Sequence, residues 1–226
     1  PLDYLPDAIY APGCDERGDT TDAMLAEARS AAQQAEIAVV FAGLPDHCES
    51  EGFDRDDLKM PAGHLRMIEA VASANPNTVV VLLCGSAVEC PWADSVKAVL
   101  YMGLPGQAGG EAVADLLYGR VNPSGRLAES WPFTYEDVPS SEIYGKTTDA
   151  LYEEGIYVGY RYYDKAGVPV RWPFGYGLSY TEFAYSDLTV SGDTVSVTAK
   201  NTGAFAGAEV AQLYVRAPQD GLHRSL

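Results

Sequence analysis

The chain has 226 residues, enough to bury a substantial hydrophobic core and to hold one domain with part of a second. Hydrophobic residues make up 47% and charged residues 21%, which is typical of globular proteins, but 15 lysines and arginines stand against 32 aspartates and glutamates. The net charge of −17 disfavours nucleic acid and anionic membranes as partners and leaves neutral substrates open.

Cysteine and histidine usage argues against disulfides and metal. The four cysteines form no CxxC pair and there are only three histidines, so no disulfide framework, metal site or cofactor is predicted. No apolar run reaches the roughly 18 residues of a membrane-spanning helix. The sequence opens at Pro1 without a methionine and is expected to be a fragment, which leaves its compartment open, with the cytoplasm favoured over secretion.

Predicted strands and helices alternate through the first half of the chain. Near-continuous runs of β-branched apolar residues at 36–44 and 77–85 are typical of strands buried on both faces of a parallel sheet. The predicted strands lie at residues 8–13, 36–44, 77–85 and 95–103, and the predicted helices at residues 21–35, 62–75 and 109–119. This order predicts an α/β domain with a mainly parallel sheet.

The pattern changes after this α/β region. Residues 120–183 are rich in tyrosine, glycine and proline, and from residue 184 onward apolar and polar residues alternate as in antiparallel strands. The runs at 195–199 and 210–214 contribute to about three predicted strands, too few for a β-sandwich of around seven. Their unpaired edges are expected to be able to join two copies of the chain as a homodimer.

The loop after the strand at 36–44 carries the segment SEGFDR, residues 50–55. Ligands of open α/β sheets bind beyond the carboxyl ends of the parallel strands, so this loop is expected at a binding site. On composition alone it is equally a solvated acidic surface, and a paired-carboxylate mechanism would take only one of its two carboxyls from a single loop. His47, just upstream, is a candidate for a ligand contact.

Two other segments offer alternative sites. The glycine-rich segment 104–127 joins a predicted strand to a predicted helix, where phosphate can bind. Its spacing matches neither GxGxxG nor GxxxxGK[ST], so close packing and tight turns are the favoured use of its glycines. Ser86 lies in CGSAV, which lacks the GxSxG spacing of a nucleophile elbow, and is expected at a turn.

Four segments together resemble the C-terminal portion of glycoside hydrolase family 3, the β-glucosidases and their relatives. They are SEGFDRDDLKMP (50–61), LPGQAGGEAVADLLYGRVNPSGRL (104–127), YEEGIYVGYRYYD (152–164) and WPFGYGLSYTEF (172–183). The resemblance covers essentially the whole chain. It implies a three-layer α/β sandwich with a mainly parallel sheet over residues 1–183, preceded in the family by a TIM barrel. It also implies the first strands of a fibronectin type III-like domain over residues 184–226.

The resemblance further implies a retaining mechanism, in which a barrel aspartate attacks the sugar and a glutamate of the sandwich acts as acid and then as base. Glu51 matches that glutamate because it precedes the glycine–aromatic pair, and Glu49 is the alternative. Asp54 and Arg55 match the end of the same segment. They are expected to shape the loop through an ion pair or hydrogen bonds and are candidate substrate contacts, together with His47.

The family's barrel and its aspartate are absent from this sequence, so the chain alone is expected to be inactive and to need that barrel as its partner. The implied substrates are terminal β-D-glucosides, with β-xylosides and N-acetylglucosaminides also open. The alternative is a non-catalytic module that binds carbohydrate or packs against a neighbouring domain, a use that suits the tyrosines of residues 152–163. Glycine spacing and charge disfavour a nucleotide-binding domain.

Overall fold

The computed structural model describes residues 1–146, 148–149 and 151–215. The helices are α1 (Asp22–Gln34), α2 (Ala62–Ala74), α3 (Gly109–Leu117) and α4 (Tyr160–Ala166), and the strands are β1 (Ala38–Gly43), β2 (Thr78–Leu83), β3 (Ala98–Tyr101), β4 (Phe183–Ser191) and β5 (Thr194–Asn201). The predicted fold class, an α/β domain with a parallel sheet followed by antiparallel strands, is confirmed.

The strands β1, β2 and β3 form a parallel sheet in that order. In the register of the first two strands, Ala38 lies opposite Thr78. Residues 80–82 of the central strand are completely buried, because β1 and β3 flank this strand and other elements cover its faces. This burial explains why the sequence of β2 is a continuous apolar run rather than an alternating one.

Asn75 joins the two helices that pack beside each other, α1 and α2. It is the first residue past α2, and its buried side-chain amide donates hydrogen bonds to the carbonyls of Ala32 and Ala35, both at 2.9 Å. These carbonyls lie at the end of α1, where helix carbonyls lack partners within the helix. At the start of α1, the Thr21 hydroxyl accepts a hydrogen bond from the Met24 N–H at 3.2 Å.

His64 ties the first turn of α2 to the end of β1. Its Nδ1 forms a hydrogen bond with the Gly43 backbone, 3.0 Å from the carbonyl oxygen and 3.4 Å from the amide nitrogen. Burial lowers the pKa of His64, outweighing the effects of this hydrogen bond and of Asp15, which raise it. The His64 imidazole therefore holds together the two ends of the long connection between β1 and α2.

The strands β4 and β5 form a separate antiparallel hairpin that is exposed along almost its whole length. Val190 pairs with Val195, and Val197 lies two residues farther along the same face. The register is irregular between Ser186 and Thr189. The hairpin thus presents one apolar face, as expected of two strands from a β-sandwich.

Two predicted strands are wrong. Residues 8–13 pair with no strand in the described part of the chain, and Ile9 and Tyr10 are exposed. Residues 210–214 likewise form no strand in the structure. An extended segment becomes a strand only where a neighbouring strand supplies hydrogen-bond partners, and neither segment has one here. Residues 216–226, the end of the predicted second domain, lie outside the described residues.

The tyrosine-rich segment contains an unpredicted helix, α4. Gly159 precedes it with a φ of 59°, and Gly167 ends it in the left-handed conformation that commonly terminates helices. Tyr163 turns into the core, whereas the other tyrosines of this helix are less buried. Because tyrosine occurs on both sides of the helix, the sequence shows no clear apolar period there.

Candidate active site

Two loops meet at the carboxyl ends of β1 and β2. These strands are adjacent and parallel, so the β1 loop (44–61) and the β2 loop (84–92) leave the sheet at the same edge. The β1 loop exceeds the roughly 12–15 residues beyond which irregular loops in compact domains are usually functional. Every predicted site residue lies in the β1 loop, so the candidate site is at the carboxyl end of these strands.

Glu51 occupies the tip of a tight turn. The backbones of Ser50 and Phe53 bridge in antiparallel fashion, which leaves Glu51 and Gly52 at the end of the turn. The Glu51 side chain is exposed and makes no hydrogen bond or ion pair within the described residues. Its carboxyl is therefore open to a group from outside this part of the chain.

Glu49 is tied to the neighbouring loop. Its Oε2 accepts a hydrogen bond from the Gly85 N–H at 2.8 Å, and its side chain is partly buried. A Cβ at position 85 would lie only 3.0 Å from the other carboxylate oxygen, so the glycine allows this close approach. The two candidate glutamates thus differ in their surroundings, since Glu49 is bound and Glu51 is exposed.

Arg55 also reaches the β2 loop. Its Nη1 donates to the Ser86 hydroxyl at 2.9 Å and to the Ala87 carbonyl at 3.1 Å. Within the described residues Nη2 of the same guanidinium is buried and has no hydrogen-bond partner. Ser86, expected at a turn, lies in a bend and accepts this bond from the arginine.

Asp54 and His47 lie away from these contacts. Asp54 is exposed, and a hydrogen bond to its carboxylate raises the pKa of Tyr144. The ion pairs of the described residues do not include Asp54 with Arg55. His47 is exposed in the turn that opens the β1 loop. The structure therefore brings Glu49 and Arg55 to the β2 loop, and leaves the other three predicted residues exposed around them.

Glu129 is a neighbour of the site that the sequence did not reveal. Its Oε1 accepts a hydrogen bond from the Ala87 N–H at 3.1 Å. Part of the residue remains exposed, but burial around its carboxyl raises the pKa of Glu129, against the opposing effects of the Ala87 hydrogen bond and Arg55. The available signal in the sequence was a single acidic residue between Ala128 and Ser130, close to Trp131.

The sheet end beneath the two loops is uncharged. Cys84 is completely buried, and burial raises its pKa to about 12. Burial also raises the pKa of Tyr101 to about 12, with Cys84, Glu129 and Glu49 acting in the same direction. The charged side chains near this end of the sheet therefore include those of the β1 loop and Glu129.

A large open cavity of about 1730 Å³ lies elsewhere, and none of the predicted site residues lines it. It runs along the N-terminal segment, α1 and the sheet, and its walls are mainly apolar.

Among the described residues, no group of three or more histidine, cysteine, aspartate or glutamate side chains could hold a metal ion. No described helix is both long and apolar enough to cross a membrane.

Comparison with known proteins gives a consistent result along the chain. Residues 3–160 match the glycosyl hydrolase family 3 C-terminal domain. The chain is 48% identical over 226 residues to thermostable beta-glucosidase B of Acetivibrio thermocellus, covering 96% of this chain and 30% of that protein. It is 44% identical over 216 residues to an exo-alpha-(1->6)-L-arabinopyranosidase of Bifidobacterium breve, covering 92% of this chain and 28% of that protein.

The fold is shared as well. The crystal structure of a GH3 beta-glucosidase from Bifidobacterium adolescentis matches with a TM-score of 0.86 and 40% identity, covering 96% of this chain and 35% of that one. The chain spans about 30% of the length of these relatives. The family match covers more than half of the chain and includes the whole β1 loop. This chain therefore belongs to glycosyl hydrolase family 3, in which residues 3–160 correspond to the C-terminal domain.

Proposed function

We propose that this chain is part of a retaining β-glucosidase-type hydrolase and supplies Glu51 as the general acid/base for hydrolysis of terminal β-D-glucosyl residues. The proposal is carried by the position of Glu51, exposed at the tip of the β1 loop in a chain of a glycosyl hydrolase family. Glu49 is less suitable because the Gly85 N–H occupies one of its carboxylate oxygens.

In this role the Glu51 carboxyl gives its proton to the glycosidic oxygen as the bond to the anomeric carbon breaks. A second enzyme carboxylate, which the resemblance assigns to the barrel, takes the sugar as a covalent ester. The Glu51 carboxylate then removes a proton from water, whose oxygen attacks the anomeric carbon and releases the second carboxylate. Retention needs the two carboxyls about 5–5.5 Å apart, so the chain requires that barrel as its partner.

The relatives support the proposed substrate class. The 48% identical protein is named a beta-glucosidase, and so is the matching crystal structure, which favours a β-D-glucoside or a glucose-containing oligosaccharide. The arabinopyranosidase at 44% identity indicates that this family domain also serves other pyranosides. Rates on 4-nitrophenyl β-D-glucoside, β-D-xyloside, N-acetyl-β-D-glucosaminide and α-L-arabinopyranoside identify the sugar that is accepted.

The role of Glu51 is tested with Glu51→Gln in the full-length protein. Loss of a general acid costs about 10²–10⁴-fold where the leaving group needs a proton, so cellobiose hydrolysis is expected to fall by that factor. Cleavage of 2,4-dinitrophenyl β-D-glucoside should keep its first step, and azide should restore turnover by replacing activated water. An unchanged rate on cellobiose contradicts the assignment.

Glu49→Gln is the matched variant. It should keep most of the activity on cellobiose, because the amide oxygen still accepts the Gly85 N–H, and it should show no azide rescue. The opposite pattern, with Glu51→Gln active and Glu49→Gln rescued by azide, transfers the role to Glu49.

The chain by itself is proposed to be inactive, with residues 1–183 as the α/β sandwich and residues 184–226 as part of a fibronectin type III-like domain. Hydrolysis of an aryl β-glucoside by the purified chain, abolished by Glu51→Gln, contradicts this view.

Calorimetric binding of glucose or cellobiose to the chain favours the alternative, a carbohydrate-binding module. Sedimentation of the chain tests a homodimer formed through the exposed β4–β5 hairpin.

A further inference from the structure

Two side chains of the β1 loop tie it to the β2 loop, one on each side of Glu51. Upstream, Glu49 Oε2 accepts from the Gly85 N–H at 2.8 Å. Downstream, Arg55 Nη1 donates to the Ser86 hydroxyl at 2.9 Å. Glu49 and Arg55 are each partly buried, although Gly85 is exposed, and both bonds involve a charged group, which makes them stronger than bonds between neutral groups.

The segment that receives these bonds is itself held by a third part of the chain. Ala87 is buried, and its carbonyl accepts from Arg55 Nη1 at 3.1 Å. Its N–H donates to Glu129 Oε1 at 3.1 Å. Glu129 stands just before Trp131, whose indole N–H donates to the Val88 carbonyl. The β2 loop is therefore a fixed surface onto which the β1 loop is fastened.

We propose that Glu49 and Arg55 are positioning residues, which orient the Glu51 carboxyl by fastening both flanks of its turn to the β2 loop. The inference rests on the proposed role of Glu51. The fastened points lie just outside the Ser50–Phe53 bridge, so the exposed turn between them is constrained at both ends. Neither side chain needs to touch the substrate in this arrangement.

Orientation matters because a general acid works only within about 2.6–3.2 Å of the atom that it protonates. A displacement of about 1 Å can cost as much as 10²-fold. Releasing one flank should therefore slow the cleavage of bonds whose leaving group needs a proton. It should leave the rate of cleavage nearly unchanged where the leaving group departs as a stable anion. A general loss of structure would instead slow the cleavage of both kinds of bond.

The test measures kcat/KM of the full-length protein on cellobiose and on 2,4-dinitrophenyl β-D-glucoside. Active sites are counted by trapping the glycosyl-enzyme with a 2-deoxy-2-fluoroglucoside. Arg55→Ala and Glu49→Ala should each lower the cellobiose value by about tenfold or more, and the dinitrophenyl value by less than about twofold. Arg55→Lys and Glu49→Gln, which retain a donor and an acceptor, should restore most of the cellobiose rate.

Arg66→Ala is the matched control, because the Arg66 guanidinium pairs with Asp22 at 2.7 Å on the exposed helix surface. It should leave both rates unchanged. If Arg55→Ala yields no folded enzyme, Ser86→Ala carries the test by deleting only the acceptor hydroxyl, and it should shift the ratio of the two rates about two- to threefold in the same direction.

The outcomes separate this inference from the proposed function. Equal losses on both substrates for Arg55→Ala, or for Ser86→Ala where it replaces that variant, overturn the positioning role while Glu51→Gln still shows its own leaving-group dependence. Azide rescue of Glu49→Ala, without restoration by Glu49→Gln, makes Glu49 the acid/base and also overturns it. Failure of Glu51→Gln to discriminate between the substrates removes the proposed function itself.

Discussion

Arg126 and Glu209 form an ion pair in which Nη2 of the arginine lies 2.9 Å from both carboxylate oxygens. The two side chains are only 11% and 16% exposed, and the residues are 83 positions apart in the chain. Aromatic contacts reinforce the same junction, since Tyr160 stacks on Phe174 with ring centroids 5.1 Å apart and meets Tyr214 edge to face at 5.9 Å. The segment after β5 is thus packed onto the α/β part of the chain.

Breaking this ion pair should destabilise the chain. Arg126→Ala leaves the Glu209 carboxylate without its partner in a site that admits little water, and we expect the free energy of unfolding to fall by about 2–3 kcal/mol. Urea unfolding measures the change. The double variant Arg126→Met, Glu209→Gln should recover part of the loss, because it leaves no unpaired charge.

The exposed pair of Lys146 with Glu142 is the control for that prediction. Its Nζ–Oε2 distance is 3.3 Å, and its side chains are 54% and 85% exposed. Lys146→Ala should change the free energy of unfolding by less than about 0.5 kcal/mol. If Lys146→Ala and Arg126→Ala lower the free energy of unfolding by the same amount, burial does not account for the strength of the Arg126 pair.

Gly43, the last residue of β1, should not accept a side chain. A Cβ built there overlaps the carbonyl oxygen of Leu83 in the paired strand, which is backbone and cannot move aside. Gly43→Ala is expected to cost about 2–3 kcal/mol or more of unfolding free energy, as overpacking does. Gly125→Ala, where nothing lies within 4 Å of the new methyl group, should be neutral or stabilise by up to about 1 kcal/mol.

His64 should make stability depend on pH. Burial lowers the pKa of His64 in the folded chain below its ordinary value of 6.5, so the unfolded chain binds the proton more readily. Its contribution is fully present above pH 6.5 and is lost as the pH falls through 6.5 toward the folded pKa. Urea unfolding at pH 7.5 and 5.5 should show a larger loss for the wild type than for His64→Gln. Equal losses contradict the prediction.

The four thiols should differ in reactivity. Cys84 and Cys90 are buried, with 0% and 3% exposure, and burial raises the pKa of each to about 12. Cys14 and Cys48 are partly exposed. At pH 8, Ellman's reagent should therefore label the latter two in the native chain, and all four in urea. Rapid native labelling of four thiols contradicts this order of burial.

Much of the α/β part was predictable because its signals are local. The apolar runs that became β1 and β2 are continuous, as is typical of strands in a parallel sheet, and the apolar residues of α2 recur with the helical period. The local sequence pattern wrongly predicted strands at residues 8–13 and 210–214, where no neighbouring strand is present among the described residues. The pattern did not predict α4, because the tyrosines of this helix lie on several of its sides.

The sequence by itself predicted which loop carries the candidate site, because the β1 loop follows a buried strand of a parallel sheet, and the family resemblance favoured Glu51 over the alternative Glu49. Only the tertiary structure decided that Glu49 and Arg55 hold the neighbouring loop and that Glu129 stands behind it. These contacts join residues more than 30 positions apart. They depend on the direction of two parallel strands and on close packing, for which no short stretch of sequence carries a pattern.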